Sequence, residues 1–193
     1  VSPFNYTVST PNTVTIFSGI LDANTLTFNG TGNLTMGGGE LQLAKCATVL
    51  PELTGTYDLP DGKITFDGVC AQSVKSTGTI ATDYFKVEFT GSGVKSLTGN
   101  TNIADSIFFT LPTTTGNYVD AGTDTLFALN SSSGIVTHTG GHVVGEYNRA
   151  FTSSGGDYIF HVGSDNSDTE TYFEPITLTP SGLSGASSVT ARF

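Results

Sequence analysis

The feature that most constrains the fold is a short alternation of apolar residues with Thr, Ser or Asn, which recurs along the chain between glycine-rich turns. Residues 13–17, 63–66, 85–89 and 176–179 each have the period of two that indicates a half-buried β-strand. Dipeptides such as Asp61-Gly62, which separate these segments, are typical of tight turns. Because the chain has 24 Gly and 32 Thr among 193 residues, no stretch favours a long helix. The sequence therefore predicts an all-β fold.

The alternating segments recur at a loose period of roughly 20 to 25 residues, which predicts the stacked coils of a β-solenoid, or parallel β-helix. A β-sandwich throughout fits the same spacing and remains the alternative. The similar phrases at 25–30 and 63–68 would stack as ladders of like residues, which favours the solenoid. We assign residues 1–145 to the solenoid-like body. Residues 146–193 carry more charged and aromatic side chains, and we predict there a small β-sandwich-like C-terminal cap that protects the last strand edges.

The chain has two cysteines, Cys46 and Cys70. No CxxC or Cys/His spacing suggests zinc. The cysteines are either two buried thiols of a reducing compartment or one disulfide of an oxidising compartment. We favour the disulfide, which would join neighbouring coils because the two residues are about one repeat apart.

Charged residues are scarce and mostly acidic, and the net charge is −10 with seven basic residues. Nucleic acids and anionic membrane surfaces attract clustered Lys and Arg, so we expect neither as a partner. No apolar run is long enough to predict membrane insertion. The chain begins at Val1 without a targeting segment, as expected of a mature exported product or of an excised fragment. Together these features favour an extracellular or cell-surface location.

The most polar loop contains Asp165, Asp168 and Glu170, whose carboxylates are candidate calcium ligands. The loop lacks the spacing of an EF-hand, and a solvated loop is the alternative. His138 and His142 are four residues apart, but their segment has strand and turn character rather than the helical geometry of a metal-binding pair. We interpret these histidines as a surface pair that flanks a turn.

Candidate catalytic residues are scattered along the chain. The acidic side chains form no acid–base pair by spacing, and Arg149 is one of only two arginines. We therefore predict that the protein has no catalytic site, needs no cofactor and is not an enzyme; a polysaccharide-lyase type of enzyme is the weakest alternative. Aromatic side chains offer a platform for sugars, as an alternative to core packing. The candidates are Tyr84, Phe85, Tyr118, Tyr147, Tyr158 and Tyr172.

Several phrases resemble those of large repetitive cell-surface proteins of Bacteroidetes. The segment Gly62-Lys63-Ile64-Thr65-Phe66-Asp67-Gly68 is similar to the pattern G-x-V-x-F-x-G of that group, and 91–103 is similar to G-S-G-x-K-x-L-x-G-N-x-x-I. Further similar phrases lie at 145–151, 158–163, 172–179 and 189–193. The resemblance implies export by type IX secretion and a surface role such as adhesion, gliding or filament formation.

The sequence as a whole predicts an extracellular structural or adhesive surface protein that self-associates into a filament or forms part of a larger adhesin. Residues 4–17 alternate well and stand apart from the repeats, which makes them the candidate for a donated strand in self-association. The alternative hypothesis is a carbohydrate-binding module of a secreted protein, with a glycan as its partner.

Overall fold

A computed structural model describes residues 6–152, 156–165, 173–181 and 186–192. These residues form a nearly all-β molecule that is built around a parallel β-solenoid of about six turns, which confirms the predicted fold class. A short helix, α1 (Thr77–Ile80), and a 3₁₀ turn (Ser133–Ile135) interrupt the strands. The strands are β1 (Tyr6–Thr7), β2 (Thr13–Ile16), β3 (Ile20–Asp22), β4 (Phe28–Gly30), β5 (Asn33–Leu43), β6 (Val49–Leu50), β7 (Glu52–Leu53), β8 (Tyr57–Phe66), β9 (Gln72–Val74), β10 (Tyr84–Phe89), β11 (Lys95–Leu97), β12 (Thr101–Thr110), β13 (Val119–Ala128), β14 (Val136–Gly140), β15 (Val143–Thr152), β16 (Tyr158–Phe160), β17 (Ile176–Leu178) and β18 (Ala186–Arg192).

Three parallel ladders run along the solenoid. The first joins β1, β4 and β7. The second joins β2 and β3 to β5, and continues through β8, β10, β12 and β14. The third joins β6, β9, β11, β13 and β15. In the second half of the chain, the start of β12 also pairs with the end of β13, which pairs with the end of β15.

The interior is filled by rows of apolar side chains, to which each coil contributes one residue. One such row of register partners consists of Leu41, Ile64, Val87 and Ile107. A second row contains the stacked rings of Phe66, Phe89 and Phe109, whose centroids are 5.8 and 5.9 Å apart. Burial of these side chains supplies the main driving force for stacking the coils, because each row removes apolar surface from water along the whole body.

The corners between strands need special backbone and covalent features. Gly91 has φ +68°, and a Cβ at this position would overlap the carbonyl oxygen of Gly68 in the preceding coil, so that only glycine fits. Cys46 and Cys70 form a disulfide whose Cα atoms are 5.8 Å apart. The bond joins the loop after β5 to the loop after β8, and the prediction of a covalent link between neighbouring coils is confirmed.

The outer surface of the second ladder carries a row of alternating charges. The ammonium of Lys63 lies between the carboxylates of Glu40, at 3.3 Å, and Glu88. Thr65 donates a hydrogen bond to Glu40 at 2.6 Å, and Thr110 donates one to Glu88 at 3.0 Å. These contacts tie four successive strands together on their solvent side.

The first coil consists of β1, β2 and β3, which pair with β4 and β5 of the same chain. The described part of the predicted donor segment 4–17 therefore lies in the chain's own solenoid. Its alternation matches that of the next coil, since Val14 pairs with Leu34 and Ile16 with Met36. Residues 4 and 5 lie outside the described residues.

The C-terminal part changes from parallel to antiparallel pairing along a single strand. The side of β15 that faces β13 is parallel and continues to Arg149, whereas its other side pairs antiparallel with β18. Strands β16 and β17 form a second antiparallel pair. The boundary predicted between residues 145 and 146 thus falls inside β15, because 143–152 keep the alternating burial of a solenoid strand in spite of their charged and aromatic residues.

Candidate functional site

A cavity of about 220 Å³ opens near the C-terminal end of the solenoid. Three segments that are separate in the sequence form its walls: the loop between β12 and β13, the end of β14 with the turn into β15, and the chain that follows β16. The first segment is fixed by the buried side chain of Asn117. The Asn117 Oδ1 accepts a hydrogen bond from the Gly93 amide at 2.6 Å, and its Nδ2 donates to the Thr114 hydroxyl at 2.6 Å. The wall is therefore held to the preceding coil.

Five rings form a continuous aromatic row beside this cavity: Tyr118, His142, Phe173, His138 and His161. Tyr118 stacks on His142 at 5.9 Å between centroids, and His142 lies 6.4 Å from Phe173. Phe173 stacks on His138 at 4.8 Å, and His138 stacks on His161 at 4.0 Å with an interplanar angle of 8°. Tyr118, His142, His138 and Phe173 line the cavity, whereas His161 is buried and stacks on His138.

The solenoid register explains the position of His138. On β14 it pairs with Phe109, the last member of the buried phenylalanine row. The Phe109 ring lies 6.5 Å from His138 and 6.1 Å from His161. The buried row of phenylalanines is thus followed by His138 and His161. His138 is the member of this series that lines the cavity.

Hydrogen bonds fix the tautomers of two of the histidines. The Nε2 of His138 lies 2.7 Å from the Gly141 carbonyl oxygen, and that of His142 lies 2.8 Å from the Ser164 carbonyl oxygen. Because a carbonyl oxygen only accepts, both Nε2 atoms carry a proton. Burial lowers the pKa of His142, and the neighbouring His138 adds to this effect, while the bond to Ser164 opposes it. In neutral His142 the Nδ1 lone pair is then an acceptor for a further donor.

His161 is the most deeply placed of the three histidines. Burial lowers its pKa to about 3, and the neighbouring His138 and the charge of Arg149 act in the same direction. Among the described residues, its buried Nδ1 has no hydrogen-bond partner, and neither does the buried hydroxyl of Ser164. The polar groups around the cavity are therefore not fully satisfied by the chain's own described residues.

Three buried cations stabilise the corners of the fold. Lys95 is fully buried and its ammonium donates to the carbonyl oxygens of Gly68 and Ser92 and to the Gln72 side chain, at 2.7, 3.1 and 2.8 Å. Burial lowers the pKa of Lys95 to about 8, an effect that Asp67 partly opposes. Lys75 donates to the Leu53 carbonyl. Sequence reasoning missed these roles, since nothing in a strand pattern distinguishes an inward lysine from a surface one.

The third buried cation, Arg149, is 1% exposed and lies behind the aromatic row. Its guanidinium donates to the Ile159 carbonyl at 2.7 Å and to the Ser133 carbonyl at 3.1 Å, and lies over the Tyr158 ring at 5.4 Å. Arg149 thereby ties β16 and the 3₁₀ turn to the last parallel strand.

Only some of the site residues predicted from the sequence lie at this cavity. Of the candidate calcium ligands, Asp165 is exposed at the rim of the cavity, whereas Asp168 and Glu170 lie outside the described residues. Within 6–152, 156–165, 173–181 and 186–192, no group of three or more His, Cys, Asp or Glu side chains is arranged to hold a metal ion. His138 and His142 flank a turn, as predicted, but they are not a surface pair: His142 is buried, His138 is half-buried, and both line the cavity wall.

The predicted aromatic platform is not a single surface. Tyr84, Tyr147 and Tyr158 are fully buried, and Phe85 lies on β10, where it contacts Lys86. Tyr118 is the one candidate among the described residues that lines the cavity, and Tyr172 lies outside them. Burial raises the pKa of Tyr118, and the nearby carboxylates of Asp120 and Asp165 add to this shift.

No protein-family model, curated protein or solved structure matches this chain. In the part of the chain that the structure describes, no helix is long and apolar enough to cross a membrane.

Proposed function

We propose that this protein is an extracellular structural and adhesive surface module that self-associates through the strand edge of its first coil. The observation that carries the proposal is the edge itself. In the described part of the chain, β1, β2 and β3 each have a partner strand on one side only. Unpaired edges of this kind are templates for pairing with another chain.

Two apolar side chains support a second copy of the chain as the partner at this edge. Phe17 and Ile20, which flank the turn between β2 and β3, are 70% and 64% exposed. Large apolar residues beside an open edge would be buried when two edges meet, whereas natural edges that avoid pairing carry charges or proline. The first coil thus combines a strand edge that no described residue pairs with and exposed apolar side chains.

The body has the properties of a rigid spacer. Its rows of buried side chains, the Cys46–Cys70 disulfide and the Glu40–Lys63–Glu88 charge row each link neighbouring coils. A disulfide persists in oxidising compartments, which supports an extracellular location. The resemblance to Bacteroidetes surface proteins supports the same location.

Sedimentation velocity over a range of protein concentrations, with electron microscopy of the concentrated sample, tests self-association. The wild-type chain is expected to assemble as its concentration rises. A variant with Phe17→Lys and Ile20→Lys is expected to remain monomeric, because charge at an edge opposes pairing. The matched control is Val69→Lys, since Val69 is 80% exposed but lies in the loop after β8. A wild-type chain that stays monomeric at every concentration, or a control that abolishes assembly equally, would overturn the proposal.

A further inference from the structure

We propose that the cavity beside the aromatic row binds a single uncharged pyranose unit of a glycan. The cavity lies at the other end of the solenoid from the first coil, so this inference does not depend on self-association. The aromatic rings, hydrogen-bond acceptors, charge and volume of the cavity all suit such a ligand.

The ring faces provide the apolar half of a sugar site. Phe173 is 37% exposed, and Tyr118 is half-buried in the loop wall of the cavity. A pyranose has apolar C–H faces that pack on an aromatic ring, while its hydroxyls point outward from the ring edge. Ligand sites generally combine an apolar lining of this kind with a few well-placed polar groups.

The polar half of the site is made mainly of acceptors. The Nδ1 of neutral His142 has a free lone pair, since its Nε2 is bound to the Ser164 carbonyl. The Asp165 carboxylate at the rim adds two more acceptor oxygens, and Thr113 and Thr115 contribute hydroxyls that both donate and accept. Sugar hydroxyls are the donors that such a set of acceptors pairs with.

The charge of the lining selects against anionic ligands. Neither Lys nor Arg occurs among the described lining residues, and Asp165 is negative. Phosphate, sulfate or uronate groups would meet the Asp165 carboxylate, and the described lining residues include no Lys or Arg to pair with them. An uncharged sugar meets no such repulsion, and its hydroxyl groups find acceptors.

The volume sets the size of the ligand. About 220 Å³ corresponds to roughly seven water molecules at their liquid volume, which is room for one sugar ring rather than for a chain buried along its length. In the part of the chain that the structure describes, the cavity is open on one side, where neighbouring sugar units would extend. The unpartnered Ser164 hydroxyl and His161 Nδ1 beside the wall also indicate that the chain's own described groups do not saturate this region.

Saturation-transfer NMR with the methyl glycosides of glucose, galactose, mannose, N-acetylglucosamine and fucose tests the proposal, and titration of the responding glycoside gives its affinity. At least one glycoside is expected to bind with millimolar affinity, with the strongest transfer to its ring C–H protons. Tyr118→Ala is expected to weaken that binding by about five- to tenfold, the scale of one lost aromatic contact. Asp165→Asn is expected to weaken it less, because the amide keeps one acceptor oxygen.

Phe85→Ala is the matched control, because Phe85 is a half-buried ring on β10 outside the cavity. It should leave the affinity unchanged, and thermal melting of each variant checks that the fold is intact. Choline is included as a cationic probe and phosphate as an anionic probe. Binding of choline or phosphate alone, binding of no glycoside, or glycoside binding that survives Tyr118→Ala would overturn the proposal.

The same titration on the variant with Phe17→Lys and Ile20→Lys separates this inference from the proposed self-association. Sugar binding is expected to persist when that variant is monomeric. Loss of sugar binding in the monomer would show that the cavity does not act as an independent site and would overturn the inference as stated.

Discussion

The two ends of the described solenoid differ in how their outermost strands are paired. At the N-terminal end, β1, β2 and β3 leave their outer edges unpaired within the described chain, and Phe17 and Ile20 stand exposed beside them. At the C-terminal end, the antiparallel strand β18 pairs with β15, and the buried Arg149 ties β16 and the 3₁₀ turn to it. Within the described residues, the first coil has partner strands on one side only, whereas the last parallel strand is paired on both sides, beside a buried arginine.

Amide hydrogen exchange gives the largest expected contrast between the two ends. The amides of β2 should exchange by local opening, whereas those in the middle of β15, which is paired on both sides, should need nearly global unfolding. We expect rates in β2 to be at least about a hundredfold faster than in β15. Measurement should be made at a concentration where the chain is monomeric. Equal protection of the two strands would contradict the comparison.

Replacing Arg149 should destabilise the C-terminal end, because Arg149 links β15 to β16 and to the 3₁₀ turn. Arg149→Met removes the donors to the Ile159 and Ser133 carbonyls, and we expect the free energy of unfolding to fall by about 4 kcal/mol, or about 2 for each buried carbonyl. Urea denaturation measures the change. Arg192→Met is the control, since Arg192 is exposed on β18 and its ion pair with Glu146 should contribute less than about 1 kcal/mol. Similar losses in both variants would show that Arg149 has no special role.

The Cys46–Cys70 disulfide should stabilise the N-terminal half of the molecule, which contains the first coil. With a sequence separation of 24 between Cys46 and Cys70, the chain-entropy model predicts a loss of about 3 kcal/mol when both are replaced by Ser. Urea denaturation of the double variant, beside wild type with and without reductant, checks this value. Reductant should have no effect on the double variant, and a double variant as stable as the oxidised wild type would contradict the prediction.

Acid should weaken the C-terminal end selectively. His161 takes up a proton in the unfolded chain near its ordinary pKa of 6.5, but in the folded protein only near 3. The unfolded state therefore binds more protons between these values, so that the free energy of unfolding is highest above pH 6.5 and falls as the pH drops toward 3. His142, whose pKa is also lowered, acts in the same direction.

His161→Phe should flatten this pH dependence. We expect the loss of stability between pH 7 and pH 4 to shrink by about 3 kcal/mol relative to wild type, as measured by urea denaturation at each pH. The phenylalanine ring keeps the stacking on His138 and Phe173. An unchanged slope in the variant would show that His161 does not carry the acid sensitivity.

The fold class and the link between coils could be predicted because they depend on local patterns that repeat. Segments such as 63–66 and 85–89 have the period of a β-strand, and they pair in the solenoid. Cys46 and Cys70 are about one repeat apart, so stacking of the coils places the two cysteines side by side. The division between residues 145 and 146 stays a prediction: it was based on the charged and aromatic residues after 145, and it lies inside β15. The inward side chain of Arg149 shows instead that a buried cation can be compatible with the parallel ladder.

The candidate site was only partly visible in the sequence. Spacing brought His138 and His142 to attention as a pair, but not their approach to His161 and Phe173, which depends on how the segments after β15 fold back. Tyr118 was one of six aromatic candidates, and nothing in its surroundings distinguished it from the buried Tyr147. Contacts between residues far apart in the sequence determine the position of the histidines and the exposure of Tyr118. Local sequence patterns do not predict such contacts.

The buried cations also bear on how the protein would survive outside a cell. Trypsin cleaves after Lys and Arg, and of the seven such residues in the chain, Lys75, Lys95 and Arg149 are enclosed in the fold. The other four, Lys45, Lys63, Lys86 and Arg192, all form ion pairs, and three of them lie on paired strands. The folded chain therefore offers very few accessible bonds to proteases of this specificity.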